Sequence, residues 1–223
     1  MIKENLQRPL TFSSDSELLK IAQEMGTPLF VHDENSYRRY GQEALSAPNA
    51  FGLTVNYAMK ANSHRVILRI FDSMGISIDA SSYYEVKRAI AAGIAPDKIE
   101  LTSQETLTPE RLKEVVGIGV LYNATSLLQL RLYAEMFPGS TRPFSVRINP
   151  GLGSGHNNRT NTAGTAASFG IWHDYLPEVI AIATQYSVKI THLHTHIGSG
   201  SDWRVWQKAA HLTLGIARKL PET

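Results

Sequence analysis

Lys60 closes an apolar run, Gly52-Leu53-Thr54-Val55-Asn56-Tyr57-Ala58-Met59. The mixture of β-branched, aromatic and small side chains suits a strand covered by helices on its outer face. A strand end carries a lysine to the rim of a buried sheet, where partial desolvation lowers its pKa and frees the amine for Schiff-base chemistry. A solvated lysine at a strand end is the competing reading, and the run itself does not decide between them. Asp79 and Arg147 stand at the ends of two further apolar runs. An arginine pointing inward needs an anionic or hydrogen-bonding partner, because it cannot shed its charge. Asp79 could be that partner, or could orient the lysine.

His192, His194 and His196 alternate, so all three project from one face of a strand. Three imidazoles suggest zinc, but no H-E-x-x-H spacing or nearby carboxylate completes a catalytic set, so no metal is expected. One functional histidine at the strand end, His196, with the other two filling the interior is the reading adopted. The small residues that follow, Ile197-Gly198-Ser199-Gly200-Ser201-Asp202, lead into a helix expected over 203–219. Free backbone N–H groups and a helix N-terminus suit an anion such as a phosphate. The same composition also makes an ordinary turn.

These residues need a scaffold to bring them together. Strands are expected to begin near Val55, Ile76, Ile99, Val120, Phe144 and Val188, with helical periodicity over 66–71, 84–92, 109–116, 127–137 and 176–186. Gly75 and Gly93 stand where helices should stop. Ahead of this series lie a helix opened by the capping box Ser14-Asp15-Ser16-Glu17, an apolar strand at Pro28-Leu29-Phe30-Val31-His32, and a helix over 35–46. Strand and helix alternate about every twenty-odd residues, the rhythm of parallel βα units.

A barrel and a doubly wound sheet both satisfy that rhythm. Polar candidates stand at five strand ends: Lys60, Asp79 to Ser82, Ser103-Gln104-Glu105, Arg147 to Asn149, and His194 to His196. A ring of sites favours the (β/α)8 TIM barrel, since an open sheet concentrates its site at one switch point. No G-x-G-x-x-G follows the first strand, which counts against a dinucleotide fold. Residues 149–167, rich in Gly, Asn, Thr and His, interrupt the rhythm after Arg147 and read as a binding loop.

The 223 residues carry a formal charge of only +2 with no basic cluster, so neither nucleic acid nor an anionic membrane is an expected partner. There is no cysteine, which excludes disulfides, thiolate nucleophiles and Cys-ligated metals within the chain. Neither a signal-peptide run nor a window of ~20 apolar residues is found, and a cytoplasmic location is the expectation.

Five motifs in order resemble the alanine-racemase-fold (fold type III) pyridoxal-phosphate decarboxylases. They are Tyr57-Ala58-Met59-Lys60-Ala61-Asn62, Ile78-Asp79-Ala80-Ser81-Ser82, Arg147-Ile148-Asn149-Pro150-Gly151, Ser168-Phe169-Gly170-Ile171 and His196-Ile197-Gly198-Ser199. Ala167-Ser168 departs from the family, which often has Lys there. The resemblance implies pyridoxal 5'-phosphate as cofactor, an amino acid as substrate and a homodimer. Within the family it is closest to the branch converting meso-diaminopimelate to L-lysine and CO2. Lys60 would hold the cofactor covalently as the catalytic residue, His196 would stack on its ring, and Gly198 and Ser199 would meet its phosphate. Asp79 would lie near the amine and Arg147 near the ring.

Family chains are longer, adding two more βα units and a β-domain. The resemblance therefore implies a lead-in of residues 1–48 and an incomplete barrel of about six βα units over 49–223, an inactive portion on its own. An ornithine or arginine decarboxylase, or a non-catalytic pyridoxal-phosphate-binding barrel, are the alternatives. So is an alanine racemase, although Ser63-His64 departs from the racemase pattern.

Overall fold

The computed structural model describes residues 13–154, 163–164, 167, 169–200 and 202–220. Two helices come first, α1 (Asp15–Met25) and α2 (Glu34–Leu45). Strands and helices then alternate as β1 (Asn56–Ala58), α3 (Arg65–Ser73), β2 (Ser77–Ala80), α4 (Tyr83–Ala91), β3 (Ile99–Thr102), α5 (Pro109–Gly117), β4 (Leu121–Ala124) and α6 (Leu127–Met136). The series ends with β5 (Phe144–Asn149), β6 (Ile171–Trp172), α7 (Leu176–Gln185), β7 (His192–His194) and α8 (Trp203–Ala217). The order along the sheet is β1-β2-β3-β4-β5-β6, with β7 also pairing β5, and every pairing is parallel.

Caps set the helix starts. Ser14 and Glu17 form the reciprocal box of α1, and Asp33 caps α2. In the barrel series a side-chain cap falls in the turn before every helix but α7: His64, Ser82, Thr108, Ser126 and Asp202 each accept from a backbone N–H of the following helix. Gly75 and Gly93 stop α3 and α4 in the left-handed region, at φ 82° and 95°.

The register divides the sheet into two unlike faces. Tyr57, Ile78, Ile99, Leu101, Tyr122, Phe144, Val146 and Leu193 share one face. Most of them are buried in the main core with helix residues such as Leu68, Val86, Leu112 and Leu130. Tyr133 of α6 stacks on Phe144 at 3.9 Å. The other face carries Asn56, Asp79, Glu100, Thr102, Asn123, Ser145, Arg147, His192 and His194, and helices do not cover it. This is a TIM-barrel arrangement of parallel βα units with a polar interior, left open among the described residues because β1 pairs only β2.

Four expectations need correction. Residues 28–32 form no strand, and Phe30 stands fully in solvent. The run before Lys60 is a strand only at Asn56–Ala58, because residues 52–54 of this edge segment are exposed and pair with no strand among the described residues. The last strand begins at His192 and not near Val188, whose N–H is already spent on the Ala183 carbonyl closing α7. Finally, β6 is an unforeseen seventh strand, two residues long, so six βα units contain seven strands. A two-residue strand carries too little pattern to be read from sequence.

Removing the Phe144 ring empties a fully buried stack between sheet and α6. Phe144→Ala should cost about 3–5 kcal/mol of unfolding free energy, whereas Phe51→Ala, at an exposed position, should change it by less than about 0.5 kcal/mol. Urea midpoints of the two variants test this.

Candidate active site

The polar strand ends meet at the carboxyl rim of the sheet. Met59, wholly buried, donates its N–H to the Asp79 carbonyl at 3.0 Å, which fastens the turn after β1 to β2. That turn presents Lys60. The lysine is exposed, contrary to the expected partial desolvation, because β1 is the edge strand and nothing described packs over its end. Its ammonium is nevertheless close enough to hold down the pKa of Asp79, His194 and His196, so it faces the same space.

Asp79 lies on β2, half-buried, and burial pushes its carboxyl up to about 6 against the opposing pull of Lys60, Thr102 and Arg147. Thr102 accepts from Asn123 Nδ2 at 3.0 Å and turns its hydroxyl to the carboxylate. Asp79 Oδ1 is buried with no hydrogen-bond partner among the described residues. An orphaned acceptor beside an ammonium asks for a donor, a condition that a lysine-tethered group would satisfy.

Arg147 is buried on β5 and its guanidinium lies over the Phe169 ring, 3.7 Å from the centroid. Burial lowers its pKa to about 10, with Asp79 acting in the opposite sense. The motif around Phe169 thus supplies a platform for the arginine. A Cβ at Gly170 would come within 3.3 Å of both the Arg147 side chain and the Asn149 nitrogen, so glycine permits this approach. Ser168 lies outside the described residues.

The three histidines separate by depth. His192 is exposed at the far end of β7, where its Nδ1 meets the Thr191 hydroxyl at 2.7 Å. His194 hydrogen-bonds to Asn123 and stands 3.9 Å from Glu100. Burial first, then Arg147 and other cations, lower His194 to about 3 and His196 to about 4, so both imidazoles are neutral at pH 7. A neutral imidazole at the rim can lie on a flat ring. Among the described residues no group of His, Asp or Glu side chains could hold a metal ion.

Gly198 is buried at φ 120°, and Ser199 is exposed beyond it, in the turn leading to α8. The N-terminus of α8 contributes less positive potential than expected. Asp202 caps it, accepting from Arg204 N at 3.0 Å, and its carboxylate offsets the dipole. Ser201 and most of the loop, 155–162, are outside the described residues.

The third strand end does not join the site. The Ser103 carbonyl accepts from Thr125 and Gln129, and its hydroxyl accepts from Glu105 N, a structural knot. The acid that does join is Glu100, beside Asp79 in register and raised to about 7 by burial and then by the Asp79 charge. Attention to strand ends misses it. The alternation Ile99-Glu100-Leu101-Thr102 would have found it, because a polar residue at period two must share a face with Asp79.

A parallel barrel of this kind, with a lysine, an acid, an arginine and a histidine at the ends of β1, β2, β5 and β7, defines a cofactor-dependent enzyme domain. The chain belongs to the family described as "Pyridoxal-dependent decarboxylase, pyridoxal binding domain", whose model matches residues 38–222. Its cofactor is therefore pyridoxal phosphate. Diaminopimelate decarboxylase of Streptomyces coelicolor is 36% identical over 189 residues, covering 83% of this chain and 41% of that protein. Diaminopimelate decarboxylase of Methanothermobacter thermautotrophicus is 35% identical over 212 residues, covering 93% and 49%. A solved structure of a diaminopimelate decarboxylase superposes with a TM-score of 0.82 at 29% identity, over 94% of this chain and 49% of that one. The chain spans under half the length of these relatives.

Glu100 holds its proton longer in the folded chain than the ordinary 4.5 allows, so its penalty is absent below about pH 4.5 and grows until pH passes 7. Glu100→Gln should match the parent at pH 4 and exceed it by about 2 kcal/mol at pH 8. Urea unfolding at the two pH values measures the difference; equal stability at pH 8 would show that this carboxyl is not desolvated.

Proposed function

We propose that this chain is the cofactor-binding part of an amino acid decarboxylase, with meso-diaminopimelate as substrate and L-lysine and CO2 as products. The observation that carries the reading is the meeting of Lys60, Asp79, Arg147 and His196 on one rim, each affecting the charge of another. Relatives named diaminopimelate decarboxylase support the choice of substrate. A homodimer acting in the cytoplasm, with the barrel unit beginning at residue 49, completes the proposal.

Pyridoxal phosphate supplies an electron sink for the pair left on the substrate's Cα when the carboxylate departs as CO2. The chain's residues place and protect that chemistry. Lys60 would hold the cofactor covalently through its Nζ, and the exposed side chain is open to an incoming substrate. Asp79 is the acceptor next to that amine, and with a pKa near 6 it can take or return a proton at neutral pH. His196, neutral, gives the ring a face to lie on. Gly198 N–H and the Ser199 hydroxyl are donors for the phosphate. Arg147, kept charged and braced by Phe169, would supply positive charge near the ring.

Borohydride trapping of pyridoxal phosphate on the 223-residue chain, followed by peptide mapping, tests the assignment. Label should fall on Lys60, and Lys60→Ala should abolish it. Label on another lysine, or none, would reject Lys60.

A further inference from the structure

Asn149 has no part in the proposed chemistry, although it stands two residues beyond Arg147 on the same strand and is buried. Its side chain is satisfied entirely by the stems of the following loop. Oδ1 accepts from Gly151 N at 3.1 Å and from Gly164 N at 2.9 Å, and Nδ2 donates to the Gly164 carbonyl at 3.0 Å. One carboxamide therefore ties together two backbone points thirteen residues apart in sequence.

The outgoing stem in turn grips the turn after β7. Ser154 N–H donates to the Ile197 carbonyl at 2.7 Å, and Gly200 N–H donates to the Ser154 carbonyl at 3.3 Å. A Cβ at Gly200 would fall inside the Ser154 side chain, so this contact needs glycine. A small core of Ala163, Ile197 and Ala209, with Leu152 and Val205 packed on it, joins both stems to the turn and to α8. Gly198 and Ser199 lie between the two gripped residues, Ile197 and Gly200.

We propose that Asn149 is a positioning residue that sets the phosphate-binding turn 197–200 from the neighbouring strand β5, through the loop stems and Ser154. The hydrogen bonds of its side chain go to loop backbone. β7 ends at His194, so hydrogen bonding within the sheet does not hold the turn beyond it. The stems supply that support, and Asn149 fixes the stems. The claim that the turn takes a phosphate rests on the function proposed above; the claim that Asn149 holds the turn does not.

Two measurements on the 223-residue chain keep these claims apart. The first is amide hydrogen exchange. Asn149→Ala should speed exchange of the Ser154 and Gly200 amides by about tenfold or more, with Asn149→Asp intermediate because it keeps the acceptor and loses the donor. Leu101 in β3 should exchange at the parent rate. Unchanged exchange at Gly200, or equal acceleration at Leu101, would overturn the positioning role.

The second compares binding of pyridoxal phosphate and of pyridoxal, followed by absorbance. Asn149→Ala and Gly200→Ala should weaken pyridoxal phosphate about tenfold more than pyridoxal. Equal weakening of both would overturn the link to the phosphate. Failure of the parent chain to distinguish the two ligands would overturn the phosphate reading of the turn, while the exchange result would still decide the role of Asn149.

Discussion

The interior of this sheet has to hold charge. A parallel sheet ordinarily buries both faces in apolar side chains, yet here one face carries Asp79, Glu100, Arg147 and His194 in register. Removing these groups from water disfavours their charged forms. The carboxyls answer by holding protons longer, the histidines by staying neutral, and Arg147 by sitting on Phe169 near Asp79. The remaining structure keeps this arrangement intact: an outer face packed tightly enough to fix the strands, and turns that hold the strand ends along one rim.

Apolar packing and titratable groups therefore sit on opposite faces of the same strands. Ile78 and Leu101 pack beneath helices, while Asp79 and Glu100, one residue away, face the interior. Partial neutralisation at pH 7 is a cost to folding and an asset to chemistry, because a carboxyl with a pKa near 6 can exchange protons with an amine. Glycine serves at the contacts where backbone must approach: Gly170 against Arg147 and Gly200 against Ser154.

Much of this was legible in order along the chain. The capping box at Ser14, the stops at Gly75 and Gly93, and all eight helices follow from local rules that act within one turn. The strand ends carrying Asp79 and Arg147 followed from composition, since apolar runs of four to six residues end at polar ones. Residues 28–32 and 52–54 form no strand because an apolar run specifies one only when a neighbour accepts its hydrogen bonds, and composition does not report the neighbour. Glu100 and Asn123 were overlooked because their importance lies in register with other strands.

The sequence by itself determined the residue types and their order: a lysine, an acid, an arginine and a histidine, each placed where a strand gives way to a turn. Local hydrogen bonding and hydrophobic periodicity suffice for that. Only the tertiary structure decided which groups share a face, which are desolvated, and that Lys60 is exposed while Asp79 beside it is not. It alone brought Asn149 to the loop stems and the stems to the turn at Ser199. Pairing in a parallel sheet, and contact between loops at its rim, join residues tens of positions apart, and no local pattern in the chain encodes which partner each will meet.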